Sequence, residues 1–221
     1  NVNNGEIISM VSYPDFDLNK REKIVDLNFI NRATKGVYEL GSVFKTFTVA
    51  AGLEEGLINT DTEFLNLEKR LQCGKSSISE YDNKIPSDLT VEQILIRSGN
   101  IGSVRIGQKL EIIKLKAFLE KIGILSKINF DIEEVGEPIP FKWGKCKLAT
   151  VSFGHGITTT PLQLAKAYAI ISNGGFAVEP SLIKNELKNY QKKKRIIKAG
   201  ISEKINPILR KIVTTKEGTA G

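Results

Sequence analysis

Gly41-Ser42-Val43-Phe44-Lys45 is the stretch on which the reading of this chain turns, because it sets a hydroxyl and an amine three residues apart at the start of an apolar segment. With Ser42 opening a helix, Lys45 falls one turn on, on the same face, within reach of the hydroxyl proton. Val43, Phe44, Phe47, Val49, Ala50, Ala51 and Leu53 surround this helix on most sides, so it is expected to run through a core. A lysine carried into a core loses hydration, which disfavours the ammonium, and the positive end of the helix dipole acts in the same direction. A neutral, proton-accepting Lys45 near neutral pH follows. The same helix end favours negative charge growing on an attacked carbonyl oxygen. The competing reading is a serine that merely caps a helix, and S-x-x-K is too short to exclude it.

Ser98-Gly99-Asn100 is the second candidate element. Thr90 and Gln93 are spaced for a capping box, and Val91, Ile94, Leu95 and Ile96 carry a short helix behind it. Gly99 interrupts the pattern, and the apolar periodicity resumes from Ile101 through Ile106 to Leu110. S-x-N therefore lies on a turn between helices. There the hydroxyl can relay a proton and the carboxamide can hydrogen-bond a substrate amide; the alternative is a polar turn that only satisfies its own backbone.

At this point the chain resembles the penicillin-binding protein and serine β-lactamase superfamily, whose motifs are S-x-x-K, S-x-N or S-D-N, and K-[ST]-G. It is most similar to the transpeptidase domain of class B penicillin-binding proteins. The likeness rests on residues 4–12 with Pro14, Asn31-Arg32-Ala33, Tyr38-Glu39-Leu40 before Gly41, and Ser98-Gly99-Asn100-Ile101-Gly102. Phe153-Gly154-His155-Gly156-Ile157, Thr160-Pro161-Leu162-Gln163 and Asn173-Gly174-Gly175 extend it through nearly the whole chain, in the family's order.

The resemblance implies an α/β fold of the α+β type, namely the mainly helical part of the penicillin-binding transpeptidase fold with an incomplete antiparallel sheet. It implies a serine-type peptidoglycan D,D-transpeptidase with no cofactor and no metal. Ser42 matches the nucleophile that attacks the penultimate D-alanine, and Lys45 matches the base. Ser98 matches the hydroxyl that helps carry the proton to the departing amine, and Asn100 the residue that holds the acyl-donor backbone. The Ser42 backbone N–H is expected to supply half of the oxyanion hole. Implied partners are D-Ala-D-Ala stem peptides, an amine acceptor, β-lactams that acylate the same serine, and membrane morphogenetic or glycosyltransferase proteins. The implied location is the inner membrane with the catalytic domain on the periplasmic side. A D,D-carboxypeptidase or β-lactamase-type hydrolase, and a non-catalytic sensor or scaffold, are the alternatives within the same fold.

The third motif departs from the family pattern. Lys216-Glu217-Gly218-Thr219 has an acid where serine or threonine belongs. Asn206-Pro207 reads as an N-cap and first-turn proline, with Ile208, Leu209, Ile212 and Val213 as an apolar stripe, which sets Lys216 at a helix end. K-[ST]-G must instead lie on a strand, so residues 1–221 are expected to be one domain that stops short of it. At the other end, Asn4-Gly5 is a turn signal before an expected strand over residues 7–11, with almost nothing ahead to pair with it. The activity is therefore assigned to the intact protein; this stretch alone would lack the strand lysine and the second oxyanion donor.

The 221 residues are 41% hydrophobic and 26% charged, enough to bury a core, and no run of about eighteen residues is continuously apolar. Much of the net charge of +7 comes from Lys188, Lys192, Lys193, Lys194, Arg195 and Lys198, read as a solvated face; Tyr190 alone does not make a nucleic-acid module. Cys73 and Cys146 are too few for a disulfide scaffold and unclustered for a metal site, and whether they pair is left open. His155 is the only histidine, in a glycine-flanked turn that it is expected to order. A loop is expected over 74–86, an amphipathic helix over 112–122 ended by Gly123, a loop over 133–143, and a capped helix from Thr160 to Ser172 followed by extended chain over 176–178.

Overall fold

Every residue of helix α1, Lys45–Glu54, is buried, and the rest of the molecule is arranged around it. Its sequence has no polar stripe to turn to water, so it forms only with neighbours on all sides. Those neighbours include α2 (Val91–Ile96), the long α3 (Asn100–Lys121) and α6 (Ala199–Thr214). α4 (Lys145–Val151) packs on α3. At Gly107 an added Cβ would fall 1.8 Å from the Ser152 hydroxyl, so a side chain there would force the two elements apart. α5 (Pro161–Ser172) packs on α6. The computed structural model describes all residues except 15, 16, 18, 21–28, 185–193 and 221.

The expected caps form. Thr90 and Gln93 exchange hydrogen bonds at the start of α2, and Thr160 and Gln163 do so at the start of α5, ahead of Pro161. Ser98 and Gly99 separate α2 from α3, and Gly123 with φ +80 closes α3. Glu111, at φ 59 and ψ 172, breaks α3 into two runs. The first buries Ile101, Val104, Ile106 and Leu110, and the second buries Leu115, Phe118 and Leu119.

Among the described residues four short strands make two antiparallel pairs: β1 (Glu63–Phe64) with β4 (Leu89–Thr90), and β2 (Arg70–Cys73) with β3 (Ser76–Ser79). The second is a hairpin with Cys73 opposite Ser76 and Arg70 opposite Ser79. Helices with small antiparallel sheets match the expected fold class.

Three local expectations are corrected. Residues 76–79, read as loop, are strand β3, because Ile78 turns inward and the backbone pairs with β2. The expected strand over 7–11 is absent: Glu6 makes an isolated parallel bridge to Ser181, while Ile8 and Val11 are 83% and 82% exposed. An apolar run without a ladder partner has nothing to hold it as a strand. α6 begins at Ala199 rather than at Asn206, with Pro207 inside it. Buried Ile201, Ile205 and Ile208 carry one apolar stripe past the proline, and that burial offsets the missing backbone hydrogen bond. The helix ends at Thr214, so Lys216 lies in a turn beyond it.

The basic run keeps the exposure expected of a solvated face, since Lys194, Arg195 and Lys198 are all exposed. Arg195 lies over the Phe176 ring at 4.5 Å, and the two residues form an antiparallel bridge. Lys198 donates its backbone N–H to the Glu54 carboxylate at 2.8 Å and its amine to the Glu54 carbonyl, fastening the start of α6 to the end of α1. Two of these exposed cations thus also hold structure. Lys188, Tyr190, Lys192 and Lys193 lie outside the described residues. No helix among the described residues is long and apolar enough to cross a membrane.

Candidate active site

The chain approaches the site through Tyr38, which exchanges two backbone hydrogen bonds with Thr159, each 3.0 Å. It then turns at Gly41, φ +65, into a single 3₁₀ turn, Gly41–Phe44, that leads directly into α1. Ser42 thus lies in the turn ahead of the α-helix, three residues before its first residue. Neither Leu40 nor Phe44, the two N-cap positions, makes a side-chain cap. Ser42 is an exposed residue whose hydroxyl accepts a hydrogen bond from Lys45 Nζ at 3.0 Å.

Lys45 is 1% exposed. Its amine also donates to Ser98 Oγ at 2.7 Å and to the Ser98 carbonyl at 2.7 Å. Burial strips the ammonium of water and lowers its pKa from 10.5 to about 8, while the negative charge of Glu80 pulls the other way. As an ammonium, Lys45 has a partner for each of its protons. As an amine, it keeps one hydrogen for the carbonyl, which can only accept, and its lone pair falls to one of the two hydroxyls.

Ser98 is buried and sits in the left-handed region at φ 54. That conformation aims both its carbonyl and its hydroxyl at Lys45. Asn100 opens α3 two residues on. Its Nδ2 donates to the Ser79 carbonyl at 2.9 Å, which leaves Oδ1 as the group it offers, an acceptor for a substrate N–H. Ser42, Lys45 and Ser98 are brought into direct contact; Asn100 is joined to them through the turn. Its side chain lines a neighbouring cavity of about 550 Å³ with Lys147, Phe153 and His155, whereas Ser42 and Ser98 line one of about 330 Å³ with Tyr168.

His155 Nδ1 lies 3.1 Å from Glu39 Oε2, and its ring stacks on Phe153, so the hydroxyl of Ser42 is held by lysine and not by histidine. Its turn lies directly behind the nucleophile turn: at Gly154, φ +88, a Cβ would come within 1.9 Å of the Gly41 carbonyl. The same cavity is walled by a disulfide between Cys73 and Cys146, with Cα atoms 5.4 Å apart, which answers the pairing left open by sequence.

Two residues escaped sequence reasoning. The Tyr168 hydroxyl donates to the Val43 carbonyl at 2.8 Å and lies 2.9 Å from the Thr46 hydroxyl, clamping the nucleophile turn from α5; burial raises its pKa, and the Thr46 bond opposes the rise. Glu80 accepts from the backbone N–H of Asn100 at 2.6 Å and of Ile101 at 2.9 Å. Tyr168 is one aromatic among the apolar residues of a helix, and Glu80 fell in the middle of a stretch read as loop.

An amine that shares its protons between two hydroxyls can take a proton at the first and return it through the second. That is the equipment of a serine acyltransferase in which lysine stands where other hydrolases and transferases use histidine. The whole chain, residues 1–221, matches the penicillin binding protein transpeptidase domain, and it belongs to that family. A probable peptidoglycan D,D-transpeptidase FtsI of Caulobacter vibrioides is 31% identical over 223 residues, covering 100% of this chain and 37% of the relative. Stage V sporulation protein D of Bacillus subtilis is 30% identical over 222 residues, 98% of this chain and 33% of the relative. The chain thus spans about a third of the length of these two relatives. Among solved structures, the transpeptidase domain of Burkholderia pseudomallei penicillin-binding protein 3 superposes with a TM-score of 0.84 at 22% identity, over 99% of this chain and 61% of that one, a likeness of fold.

Proposed function

We propose that the protein is a peptidoglycan D,D-transpeptidase that works through a Ser42 acyl-enzyme. Ser42 Oγ attacks the carbonyl carbon of the penultimate D-alanine as its proton passes to the neutral Lys45 amine. The C–N bond to the terminal D-alanine then breaks, and the proton returns from Lys45 through the Ser98 hydroxyl to the departing nitrogen. An acceptor amine attacks the resulting ester by the same path in reverse, losing its proton to Lys45 and restoring the serine. Asn100 Oδ1 accepts a hydrogen bond from the donor backbone. β-Lactams follow the first half of this sequence and stop at the ester.

One observation carries the reading: a single buried amine within hydrogen-bond distance of both serine hydroxyls, with its affinity for a proton lowered to about 8. The names of the relatives, several of them D,D-transpeptidases, support the substrate class. The disulfide supports a place outside the reducing cytosol, and so a periplasmic face for this domain of an inner-membrane protein. Morphogenetic or glycosyltransferase partners in the membrane belong to the same proposal.

Labelling the full-length protein with a fluorescent penicillin tests it. The expected result is one label, absent in Ser42→Ala; a label that survives Ser42→Ala would overturn the assignment. Incubation with a stem-peptide donor and an amine acceptor then separates the cross-linked product of transfer from the shortened peptide of hydrolysis.

A further inference from the structure

We propose that Glu80 is a positioning residue of this site, holding the Ser98-to-Asn100 turn in its working geometry and supplying the counter-charge that Lys45 meets when it carries a proton. The inference rests on the reading of Ser42, Lys45 and Ser98 as the reacting set, and extends it to a residue that lies outside the three family motifs.

The first N–H groups of an α-helix have no partner within the helix. At the start of α3 the N-cap is Gly99, which has no side chain to supply one. Glu80 fills the gap from another part of the chain, with one carboxylate oxygen on the N–H of Asn100 at 2.6 Å and the other on that of Ile101 at 2.9 Å. The preceding residue, Ser79, takes the Asn100 amide through its carbonyl at 2.9 Å. Ser79, the last residue of β3, and Glu80 just beyond it thus hold Asn100 by side chain and main chain together.

That grip reaches Lys45. The turn ends in Asn100 and begins in Ser98, whose carbonyl and hydroxyl both take hydrogen bonds from the lysine amine. Displacing one end of so short a turn displaces the other. Of the charges beside it, Arg97 is paired with Glu217 at 2.6 Å, Asp82 and Glu80 both act on Tyr81, whose hydroxyl donates to the Arg97 carbonyl, and Glu80 is the group whose charge acts on Lys45. In the proposed mechanism the reacting form is the neutral amine, which becomes cationic on accepting the serine proton and is neutral again once it has passed it on. A fixed anion steadies that state without a direct contact that would keep the proton on the lysine permanently.

The test uses the full-length protein with ¹³Cε-labelled lysine and ¹⁵N-labelled backbone, in wild type, Glu80→Gln, Glu80→Asp and Glu80→Ala, with Lys45→Arg to identify the resonance. In Glu80→Gln the Lys45 titration midpoint is expected to fall by roughly half a pH unit or more, and the acid limb of penicillin acylation to move with it. Glu80→Asp retains the charge and is expected to keep the midpoint. Glu80→Ala is expected to shift the Asn100 and Ile101 amide signals and to slow acylation by about tenfold or more. Glu80→Gln keeps the side chain's volume and one acceptor, so it decides the matter if the alanine variant does not fold. An unchanged Lys45 midpoint and unchanged Asn100 and Ile101 amides in a folded Glu80→Gln protein would overturn the proposal. Failure of wild type to be labelled at Ser42 would instead count against the transpeptidase reading, and the lysine titration would still decide the role of Glu80.

Discussion

Ser98 engages Lys45 twice, through its hydroxyl and through its own carbonyl, each 2.7 Å from the lysine amine. The carbonyl can only accept, so it takes one lysine hydrogen in either protonation state and fixes the direction of the remaining positions toward the two hydroxyls. The left-handed backbone of Ser98 is what brings both groups to one side.

The activity should follow the protonation of Lys45. With a pKa of about 8, the neutral fraction rises roughly fivefold between pH 7 and pH 8 and levels off about a unit higher. The expected rate of penicillin acylation follows that curve with unit slope on its acid side. Stopped-flow acylation across this range checks it, and a flat profile would show that Lys45 does not supply the base.

The same group links stability to pH. An unfolded lysine holds its proton to about 10.5, whereas Lys45 in the fold gives it up near 8. Between those values the unfolded chain binds the extra proton, so stability from this group rises as pH climbs; below 8 both states are charged and the cost of the buried ammonium is paid in full. Urea unfolding of Lys45→Met beside wild type, at pH 7.5 and pH 10, is expected to show the variant's relative advantage shrinking at the higher pH, by an amount on the order of 1 to 3 kcal/mol.

Ser98→Ala and Ser98→Gly both delete the hydroxyl, but only alanine keeps a Cβ at a φ of 54. The glycine variant is expected to be more stable than the alanine variant by about 1 kcal/mol, while both lose acylation rate to a similar degree. Equal melting curves for the two would mean that the turn relaxes out of the left-handed region.

Glu111 is exposed and breaks α3 at φ 59 and ψ 172, a region that suits glycine alone. Glu111→Gly is expected to raise stability by about 1 kcal/mol without altering acylation. Thermal unfolding with a penicillin-binding assay on the same sample reads both quantities, and a lowered melting temperature would contradict it.

The Cys73–Cys146 bond closes a loop of 73 residues, for which chain entropy gives a contribution of about 4 kcal/mol. A Cys73→Ser, Cys146→Ser double variant is expected to melt well below wild type in non-reducing buffer and to match reduced wild type. Since the bond walls the cavity that Asn100 lines, acylation by penicillins with bulky side chains is expected to slow as well. Identical melting of the oxidised and reduced protein would show that the bond adds nothing to the fold.

The parts legible in the chain were those in which neighbours along it are neighbours in space. Thr90 with Gln93 and Thr160 with Gln163 are three residues apart and cap as their spacing dictates. Ser42 and Lys45 meet for the same reason, although a 3₁₀ turn rather than an α-helix carries the serine. The reading of Asn206-Pro207 as a helix start failed because a local signal was outweighed by Ile201 and Ile205 finding a core. Strand β3 was missed because four residues of serine and isoleucine become a strand only when β2 lies beside them.

Sequence by itself determined the family, the capped starts of α2 and α5, and the pairing of hydroxyl and amine one turn apart, since short-range sterics and hydrogen bonding act before the chain has folded. Tertiary structure alone decided what that amine meets. Ser98 reaches it across 53 residues, Glu80 reaches Asn100 across 20, and Cys73 finds Cys146 across 73. Such contacts depend on how a buried α1 forces its neighbours to pack, and burial of the whole helix is also what lowers the proton affinity of Lys45.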